Sequence, residues 1–562
     1  LLVEARITHS YPHCWRCKNP IIFRATKQWF LIIDHNGLRD KIQRAINDQV
    51  RWIPACGRER IAAMVQSRPD WCLSRQRFWG VPVPALVCNE CKEEFFNEQV
   101  MEKFIRLIAK EGSDSWFTRD LKEFLPTEGL TCPACNKSKG FTKGSDILDV
   151  WFDSGVSHQA VLKKRKDLGG SPCELYLEGS DQHRGWFQSS IIASIAMDGE
   201  PPFRNVLTHG FVVDGEGRKM SKSQGNVISP QDIIKDYGAD ILRMWVASSD
   251  YNEDIRISKE ILTRLSEAYR KIRNTARFIL SNLYDYNPDS GRVDYAKLRK
   301  IDRWILWKLQ GVINDVTNSY GTQESPSFEF YKAYKEIYDF CNVELSMYYL
   351  DMVKGRLYTC KADSQDRRAA QYVIYEILHA LARMAAPILV FTAEEIWQNI
   401  PKLRGEKTIE SVHLSGFPKI NPLFAQHDIE SAGGKGIGKE LETIIRLIPD
   451  VAKALEEKRS AGTIGSSFDA RINLLTNDEN RYKYLESLKD QLPEIFKASQ
   501  VVVTRQADLA AGSLSVNFPD IAIAVLKAEG TKCVRCWNYS LLVGKNQAHS
   551  LICEKCLTAI GG

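Results

Sequence analysis

The chain has 562 residues, 44% of them apolar and 26% charged, with 76 Lys and Arg against 70 Asp and Glu for a formal net charge of +6. This is ordinary globular composition, which excludes a wholly disordered chain. No apolar run approaches the ~18 residues a membrane helix needs, so no membrane partner is expected.

The length predicts about four domains. The first residue is Leu1, not Met, and Leu1-Leu2-Val3-Glu4-Ala5 lacks the basic start and apolar core of a signal peptide. The expectation is an interrupted chain, either a truncated reading frame or one piece of a larger protein. Residues 1–87 are mixed, with short apolar runs at 21–23 and 29–33. Residues 88–145 form a charged insertion bracketed by two cysteine pairs. Residues 146–257 read as α/β, with short buried strands at 174–178 and 205–208, each leading into a polar loop. A helix is expected over 230–237.

From Ser258 the pattern turns helical. Ile261, Leu265, Ala268, Ile272, Ala276, Ile279 and Leu283 recur at helical spacing, while Arg264, Arg270, Lys271, Arg273 and Arg277 make the rest of that helix basic. Helices continue over 302–316, 328–350 and 367–400. Pro387 should break the last one, and Thr392 with Glu395 is a capping box to restart it. Residues 258–420 thus read as a helical bundle. Gly433, Gly434, Gly436 and Gly438 mark a linker, followed by a small α/β unit with strands at 471–475 and 500–504, the whole spanning 421–528. Residues 529–562 hold two more cysteine pairs.

Ten of the 15 cysteines fall in five Cys-x-x-Cys pairs. In a large charged chain without a signal segment this pattern reads as zinc rather than disulfides, and so as a reducing, cytoplasmic location. Cys533, Cys536, Cys553 and Cys556 have zinc-ribbon spacing, with 16 residues between the pairs. Four thiolates with no open position make a structural site. Cys88, Cys91, Cys132 and Cys135 form a second set around a 40-residue spacer. Cys14 and Cys17 lack a visible mate: either they are unliganded or their partners lie before Leu1. Cys56, Cys72, Cys173, Cys341 and Cys360 read as core or surface thiols. At the terminal set, Lys532, Arg535, Lys545 and Lys555 accompany Trp537 and Tyr539. Basic and aromatic groups on a rigid knuckle suit RNA, while the alternative is that Trp537 packs under the metal site.

Two segments carry chemistry. Gly215-Glu216-Gly217-Arg218-Lys219-Met220-Ser221-Lys222-Ser223-Gln224-Gly225-Asn226 combines glycines, lysines and serines. Lysines supply charge and serines hydroxyl donors to phosphoryl oxygens, equipment that stabilises charge developing in a transition state. Tyr176-Leu177-Glu178-Gly179-Ser180-Asp181-Gln182-His183-Arg184-Gly185-Trp186-Phe187 ends an apolar strand in a polar loop, where open α/β sheets bind ligands. Glu178 and Asp181 could accept from an ammonium or from ribose hydroxyls. Trp186, and Trp151 in Asp149-Val150-Trp151-Phe152-Asp153-Ser154-Gly155, could wall an apolar pocket or simply pack in the core. Thr208-His209-Gly210-Phe211 ends a further strand.

These residues carry a resemblance. Lys219-Met220-Ser221-Lys222-Ser223 is similar to the KMSKS signature of class I aminoacyl-tRNA synthetases. Trp71-Cys72-Leu73-Ser74-Arg75-Gln76-Arg77-Phe78-Trp79-Gly80 resembles the isoleucine and valine branch. Glu178–Phe187, Asp149–Gly155 and the terminal Cys-x-x-Cys-Trp narrow the likeness to the bacterial-type isoleucyl-tRNA synthetases. It runs almost the whole length and is weakest around 421–520.

The resemblance implies an α/β fold. Residues 1–87 would return from an editing insertion into the catalytic domain, and 88–145 would be a zinc-bearing insertion. Residues 146–257 would be the second half of a Rossmann-like catalytic domain, 258–420 an anticodon-binding bundle, and 529–562 a zinc knuckle. It implies isoleucine, ATP with Mg2+, and tRNA(Ile) as partners of a monomeric ligase. Glu178 would contact the adenylate, with Gly179, Asp181 and Gln182 lining the same pocket. Trp151 and Trp186 would shape the isoleucine site, and His209 would lie near adenine. Lys222 and Lys219, with Ser221 and Ser223, would serve the ATP phosphates. The family's His-x-Gly-His signature is absent from the sequence. Against the enzyme stand two other readings, a tRNA-binding module without catalysis and a zinc-ribbon transcription or repair factor. The last leaves 71–80, 149–155 and 178–226 unexplained.

Overall fold

The computed structural model describes the chain except residues 1–3, 7, 15, 16, 128, 222, 223, 323, 324, 407, 426–436, 506–511 and 562, with backbone alone at 437–440. It divides into two compact units, Leu1–Phe211 with Asn252–Asp254, and Val212–Tyr251 with Ile255–Gly562.

The first unit is built on a parallel sheet. Helix α1 (Leu38–Asp48) buries Leu38, Ile42, Ala45 and Ile46, one face at helical spacing. Strand β1 (Arg51–Ile53) and helix α2 (Cys56–Gln66) follow. A small module then interrupts: β2 (Leu86–Cys88) pairs antiparallel with β3 (Glu94–Phe95) and, beyond α3 (Glu98–Glu111), with β4 (Phe141–Lys143). Its core is Phe104, Trp116 and Phe124, with Trp116 edge-on to Phe124 at 4.9 Å. The chain returns through α4 (Val150–Gly155), β5 (Cys173–Gly179), α5 (Trp186–Asp198) and β6 (Phe203–His209). Strand β6 lies between β1 and β5, parallel to both. Parallel strands are covered on both faces, which is why β6 and α5 are apolar without clean alternation. In α5, Phe187, Ile191, Ile192, Ala193 and Ile195 are all buried. Burying a side chain such as Phe187 fully is worth ~1.5–3 kcal/mol.

The second unit opens with β7 (Val212–Val213), followed by the lysine loop, α6 (Pro230–Tyr237) and α7 (Ala239–Ser248). Strand β8 (Ile255–Arg256) pairs parallel with β7. Helix α6 forms where expected: Ser229 Oγ accepts the Asp232 N–H at 3.2 Å and Pro230 occupies the first turn. The bundle is α8 (Lys259–Ser281), α9 (Lys300–Tyr320), α10 (Phe330–Asp339), α11 (Lys354–Thr359), α12 (Gln365–Ala385) and α13 (Val390–Asn399). Between α10 and α11 the helix expected over 328–350 widens into a π-helical stretch, Phe340–Tyr349. There Ser346 Oγ donates to the Cys341 carbonyl at 2.7 Å and meets Thr275 Oγ1 of α8 at 3.0 Å.

Pro387 breaks the helix as predicted, but the capping box does not form. Helix α13 starts after Leu389 with no side-chain cap of its own. The buried carboxylate of Asp240, on α7, takes the N–H groups of Phe391 and Thr392 at 3.2 and 2.8 Å and the Thr392 hydroxyl at 2.6 Å. Glu395 pairs instead with Arg273 at 2.8 Å. A carboxylate packed against the helix start satisfies the orphan donors that the local box would have served.

Beyond the bundle, α14 (Ile437–Ser460) includes Gly438 of the expected linker, whose other glycines lie outside the described residues. The small α/β part comprises β9 (Ala470–Thr476), α15 (Glu479–Glu486), α16 (Leu492–Phe496), β10 (Gln500–Arg505), β11 (Ser513–Leu514) and β12 (Ile521–Lys527). Its sheet runs β10–β9–β12–β11, with β9 parallel to β10 and antiparallel to β12. The hairpin β13 (Thr531–Lys532) with β14 (Tyr539–Ser540), and α17 (Glu554–Ile560), close the chain.

Candidate active site and metal centres

In the first unit the carboxyl ends of β5 and β6 lie side by side, with Glu178 opposite Thr208 and Gly179 opposite His209. The loop after β5 folds back through its own side chains. Gln182 Nε2 donates to Asp181 Oδ2 at 2.9 Å, and Gln182 Oε1 accepts the Trp186 N–H at 2.9 Å. Gln182 thereby serves an orphan donor at the start of α5. The Trp186 ring stacks on Tyr176 at 4.0 Å and gives its Nε1–H to the Ser154 carbonyl at 3.1 Å. A Cβ on Gly185 would stand 2.8 Å from Trp151 Cη2, so this glycine lets the Trp151 ring lie against the loop. Glu178, Gly179, Asp181, Gln182, Trp151, Trp186 and His209 are thus gathered at the carboxyl end of the sheet. Glu178 and Asp181 are exposed, and Trp151 is 42% exposed. Trp186 packs on Tyr176 and is half-buried.

Beside these strand ends the segments 71–80 and 149–155 come together with Arg68, which sequence reasoning did not single out. A cavity of ≈ 230 Å³ is lined by Arg68, Trp71, Arg75, Asp149, Trp151 and Gly185 among others. Asp149 receives Arg75 Nη2 at 2.9 Å and Trp71 Nε1 at 3.1 Å. Arg68 lies over the Trp71 ring at 5.4 Å. Burial, and then the negative Asp149 nearby, push the Asp153 carboxyl up to about 6. His183 is buried, with Nδ1 2.9 Å from the Ser180 carbonyl, and burial lowers its pKa, so it is a neutral packing residue.

The lysine loop belongs to the second unit. Lys219 is exposed and Ser221 half-buried, while Lys222 and Ser223 lie outside the described residues. The buried Asp214 governs the loop. Its Oδ1 accepts the N–H groups of Glu216 and Arg218 at 3.1 and 2.8 Å, and its Oδ2 accepts Arg218 Nε and Asn226 Nδ2, both at 2.9 Å. Asn226 Oδ1 in turn accepts the Ser221 N–H at 2.9 Å. Donation by Asn226, then by the Arg218 amide, draws the Asp214 carboxyl down to about 2.

Both predicted four-cysteine sets assemble, each with its sulfur atoms within 4.8 Å of one another. Sulfur–sulfur distances are 3.7 Å (Cys88–Cys135), 3.6 Å (Cys91–Cys132) and 3.5 Å (Cys536–Cys553). Zinc with Zn–S near 2.3 Å puts tetrahedral sulfurs about 3.8 Å apart, so both donor sets fit structural Zn2+. The local backbone explains how. Cys88, Cys132 and Cys533 each accept an amide four residues on, from Lys92, Asn136 and Trp537, at 2.9, 3.0 and 2.9 Å. Those three residues have positive φ, 64°, 57° and 65°. This turn aims amides at the thiolates: the Cys91 N–H leads in drawing Cys88 down to about 7. Cys14 has the same turn, accepting the Lys18 N–H at 2.8 Å with Lys18 at φ 61°.

Trp537 does not pack under the terminal metal site. It is 62% exposed. The knuckle is tied down by other residues: Arg535 donates to the Thr359 carbonyl at the end of α11, the Tyr539 N–H reaches Ser499 Oγ at 2.8 Å, and Lys532 pairs with Asp469 at 2.9 Å. The basic face of α8 is smaller than its sequence suggested, because Arg264 pairs with Glu260 and Arg273 with Glu395. Arg270, Lys271 and Arg277 remain exposed, with Lys271 over the Tyr338 ring at 5.8 Å. Among the described residues no helix is long and apolar enough to cross a membrane.

Three family models match the chain. Residues 13–258 match the tRNA synthetases class I (I, L, M and V), residues 302–474 the anticodon-binding domain of tRNA ligase, and residues 530–559 the zinc finger found in FPG and IleRS. Over 560 residues the chain is 47% identical to the isoleucine–tRNA ligase of Caldicellulosiruptor bescii and 49% identical to that of Syntrophotalea carbinolica. Each alignment covers 100% of this chain and 58% of the relative, so the chain spans less than two thirds of the length of these relatives. Among solved structures it is similar to Mycobacterium tuberculosis methionyl-tRNA synthetase in complex with methionyl-adenylate. That match has a TM-score of 0.47 at 16% identity, over 71% of this chain and 67% of that one.

Proposed function

Because the chain belongs to the class I aminoacyl-tRNA synthetases, with isoleucine–tRNA ligases as its relatives, we propose that it works in the ATP-dependent charging of tRNA(Ile) with isoleucine. The isoleucine carboxylate attacks the α-phosphorus of ATP and pyrophosphate leaves; a hydroxyl at the 3′ end of the tRNA then takes the acyl group from the adenylate and AMP leaves. Mg2+, when bound, would offset charge on the phosphates. The observation that carries this reading is the convergence of Glu178, Gly179, Asp181, Gln182, Trp151, Trp186 and His209 at the carboxyl end of the sheet. Glu178 and its loop neighbours hold the adenylate. Trp151 and Trp186 flank the isoleucine side chain, and His209 stands near adenine. Lys219 and Lys222, with Ser221 and Ser223, offset charge on the phosphoryl oxygens; the roles of Lys222 and Ser223 rest on the signature alone. Charge stabilisation of this kind acts on the rate rather than on ground-state binding. The bundle and the terminal knuckle hold the tRNA, Trp537 offering a ring for base stacking. The protein is read as a cytoplasmic monomer.

The test is isoleucine-dependent ATP–pyrophosphate exchange. In full-length protein Lys222→Ala should lower the rate about a hundredfold or more, with isoleucine affinity little changed. Glu178→Ala should instead weaken adenylate binding, leaving the fold intact. Residues 1–562 alone, which contain no His-x-Gly-His, are expected to bind tRNA(Ile) without exchange. Full activity in Lys222→Ala overturns the role of the loop. Robust exchange by residues 1–562 alone overturns the expectation that the second signature is required.

A further inference from the structure

Lys219 and Ser221 sit in an exposed, glycine-rich loop, Gly215 to Asn226, yet a donor of phosphate contacts is useful only if it is held where the charge develops. The structure supplies a holder outside the signature. Asp214, at the end of β7, and Asn226, at the far end of the loop, meet side chain to side chain at 2.9 Å. From that junction bonds run inward along both arms. Asp214 takes the Glu216 and Arg218 amides on one arm, and its own N–H donates to the Arg218 carbonyl at 2.9 Å. Asn226 takes the Ser221 amide on the other, with its Nδ2 3.3 Å from the Lys219 carbonyl. The base of this arrangement is fixed in turn: the Val213 carbonyl accepts the Ile257 N–H at 3.0 Å, and the Arg256 carbonyl accepts Trp245 Nε1 of α7 at 3.0 Å. Asp214 is 5% exposed while Glu216, Gly217, Arg218 and Lys219 beside it are exposed, which a merely solubilising carboxylate would not be.

We infer that Asp214 and Asn226 are positioning residues: they clasp the two arms of the lysine loop and set Lys219 and Ser221 for the phosphoryl oxygens. The inference rests on the phosphate role proposed above for that loop. The roles of the two side chains are complementary. Asp214 accepts only, and Asn226 both donates to it and accepts from Ser221. Asn226→Asp therefore sets two carboxylates against each other and removes the donor. Asp214→Asn discharges the partner of Arg218. The double exchange, Asp214→Asn with Asn226→Asp, restores one donor facing one acceptor. In it the side-chain carbonyl oxygen at position 214 can still take the Glu216 and Arg218 amides, and the carboxylate at position 226 the Ser221 amide.

Two readouts test this. In the full 562-residue chain, amide hydrogen exchange at Glu216, Arg218 and Ser221 should be slow, should accelerate in Asn226→Asp, and should slow again in the double exchange. Amides of β9 and β12 serve as the check on folding. In full-length protein Asn226→Asp should lower kcat of ATP–pyrophosphate exchange about tenfold or more, with KM for isoleucine unchanged, and the double exchange should recover most of it. Asp214→Asn should fall between them. Unaltered amide protection in Asn226→Asp, or no recovery in the double exchange, overturns the clasp. Lys219→Ala separates the two claims: if it and Lys222→Ala both retain wild-type exchange, the phosphate role fails, whereas loss in those variants with full activity in Asn226→Asp removes the clasp alone.

Discussion

A methyl group at Gly185 would fall 2.5 Å from Gln182 Oε1 and 2.8 Å from Trp151 Cη2, both inside contact distance. Neither neighbour can yield freely, because Gln182 is held between the Asp181 carboxylate and the Trp186 amide. Gly185→Ala should therefore turn the Trp151 ring outward and loosen the loop, with an overpacking cost of ~1–3 kcal/mol. Isoleucine binding, read by intrinsic tryptophan fluorescence, should weaken more than global stability, read by denaturant unfolding. Unchanged isoleucine affinity would mean that Trp151 does not border the amino-acid site. At this scale the sequence was informative where polar residues follow an apolar strand, as at Glu178–Gln182, since strand ends are where α/β sheets bind. It gave no role to Asp214 or to Arg75. Nothing in an isolated aspartate before a glycine-rich loop says that it will be buried and will accept four hydrogen bonds. Arg75 gains its meaning only from Asp149, 74 residues away.

Elements were legible wherever one face repeats, and illegible where a neighbour overrides local preference. The helices α6, α8 and α9 and the strands β9 and β10 follow from apolar spacing and their caps. The start of α13 does not, because its cap is Asp240, more than 150 residues upstream. The π-helical stretch between α10 and α11 likewise meets a distant partner, Thr275 of α8. The same long-range logic joins the bundle to the small α/β part. Arg356 of α11 is buried, with Nη2 2.6 Å from Asp302 of α9 and Nε 2.8 Å from Glu494 of α16. Tyr349 adds its hydroxyl to Asp302 at 2.7 Å. Burial alone would raise the Asp302 carboxyl, but Arg356 and the Tyr349 hydroxyl hold it below the usual range. Removing Asp302 takes the acceptors from both Nη1 and Nη2 of the buried guanidinium and leaves it Glu494 alone. Asp302→Ala should thus cost about 3 kcal/mol in denaturant unfolding, since breaking a buried pair leaves charged donors unsatisfied. Asp302→Ala with Arg356→Met should cost less than Asp302→Ala alone, because the stranded guanidinium is gone. If the double variant is the less stable of the two, the pair is not the source of the loss.

Over the whole molecule a net charge of +6 says little about RNA, because the useful cations are the few left unpaired. On α8 the exposed cations outside any ion pair include Arg270, Lys271 and Arg277, and at the knuckle Lys545 and Lys555, since Lys532 and Arg535 are spent on Asp469 and the Thr359 carbonyl. That division gives a metal-dependent prediction. The knuckle has almost no core besides its sulfurs, Cys533, Cys553 and Cys556 packing with Val543 alone among fully buried side chains. Its shape therefore depends on the ion, as small metal modules generally do. The wild-type chain should hold about two zinc ions and Cys553→Ser about one, because the set at Cys88, Cys91, Cys132 and Cys135 is independent of it. Helix content and the bundle's unfolding transition should barely change, since Arg356 and Arg299 hold Glu494 of α16 without the knuckle. Affinity for tRNA(Ile) should fall as Trp537, Lys545 and Lys555 lose their fixed places. Each phosphate contact contributes roughly 0.7–0.9 to the slope of log K against log salt. Cys553→Ser should therefore flatten that slope by about 1–2, and Arg277→Ala by about one contact's worth. Two zinc ions in Cys553→Ser would show that the ion is not held by these thiolates. Wild-type affinity and slope with one ion lost would show that the knuckle touches no RNA.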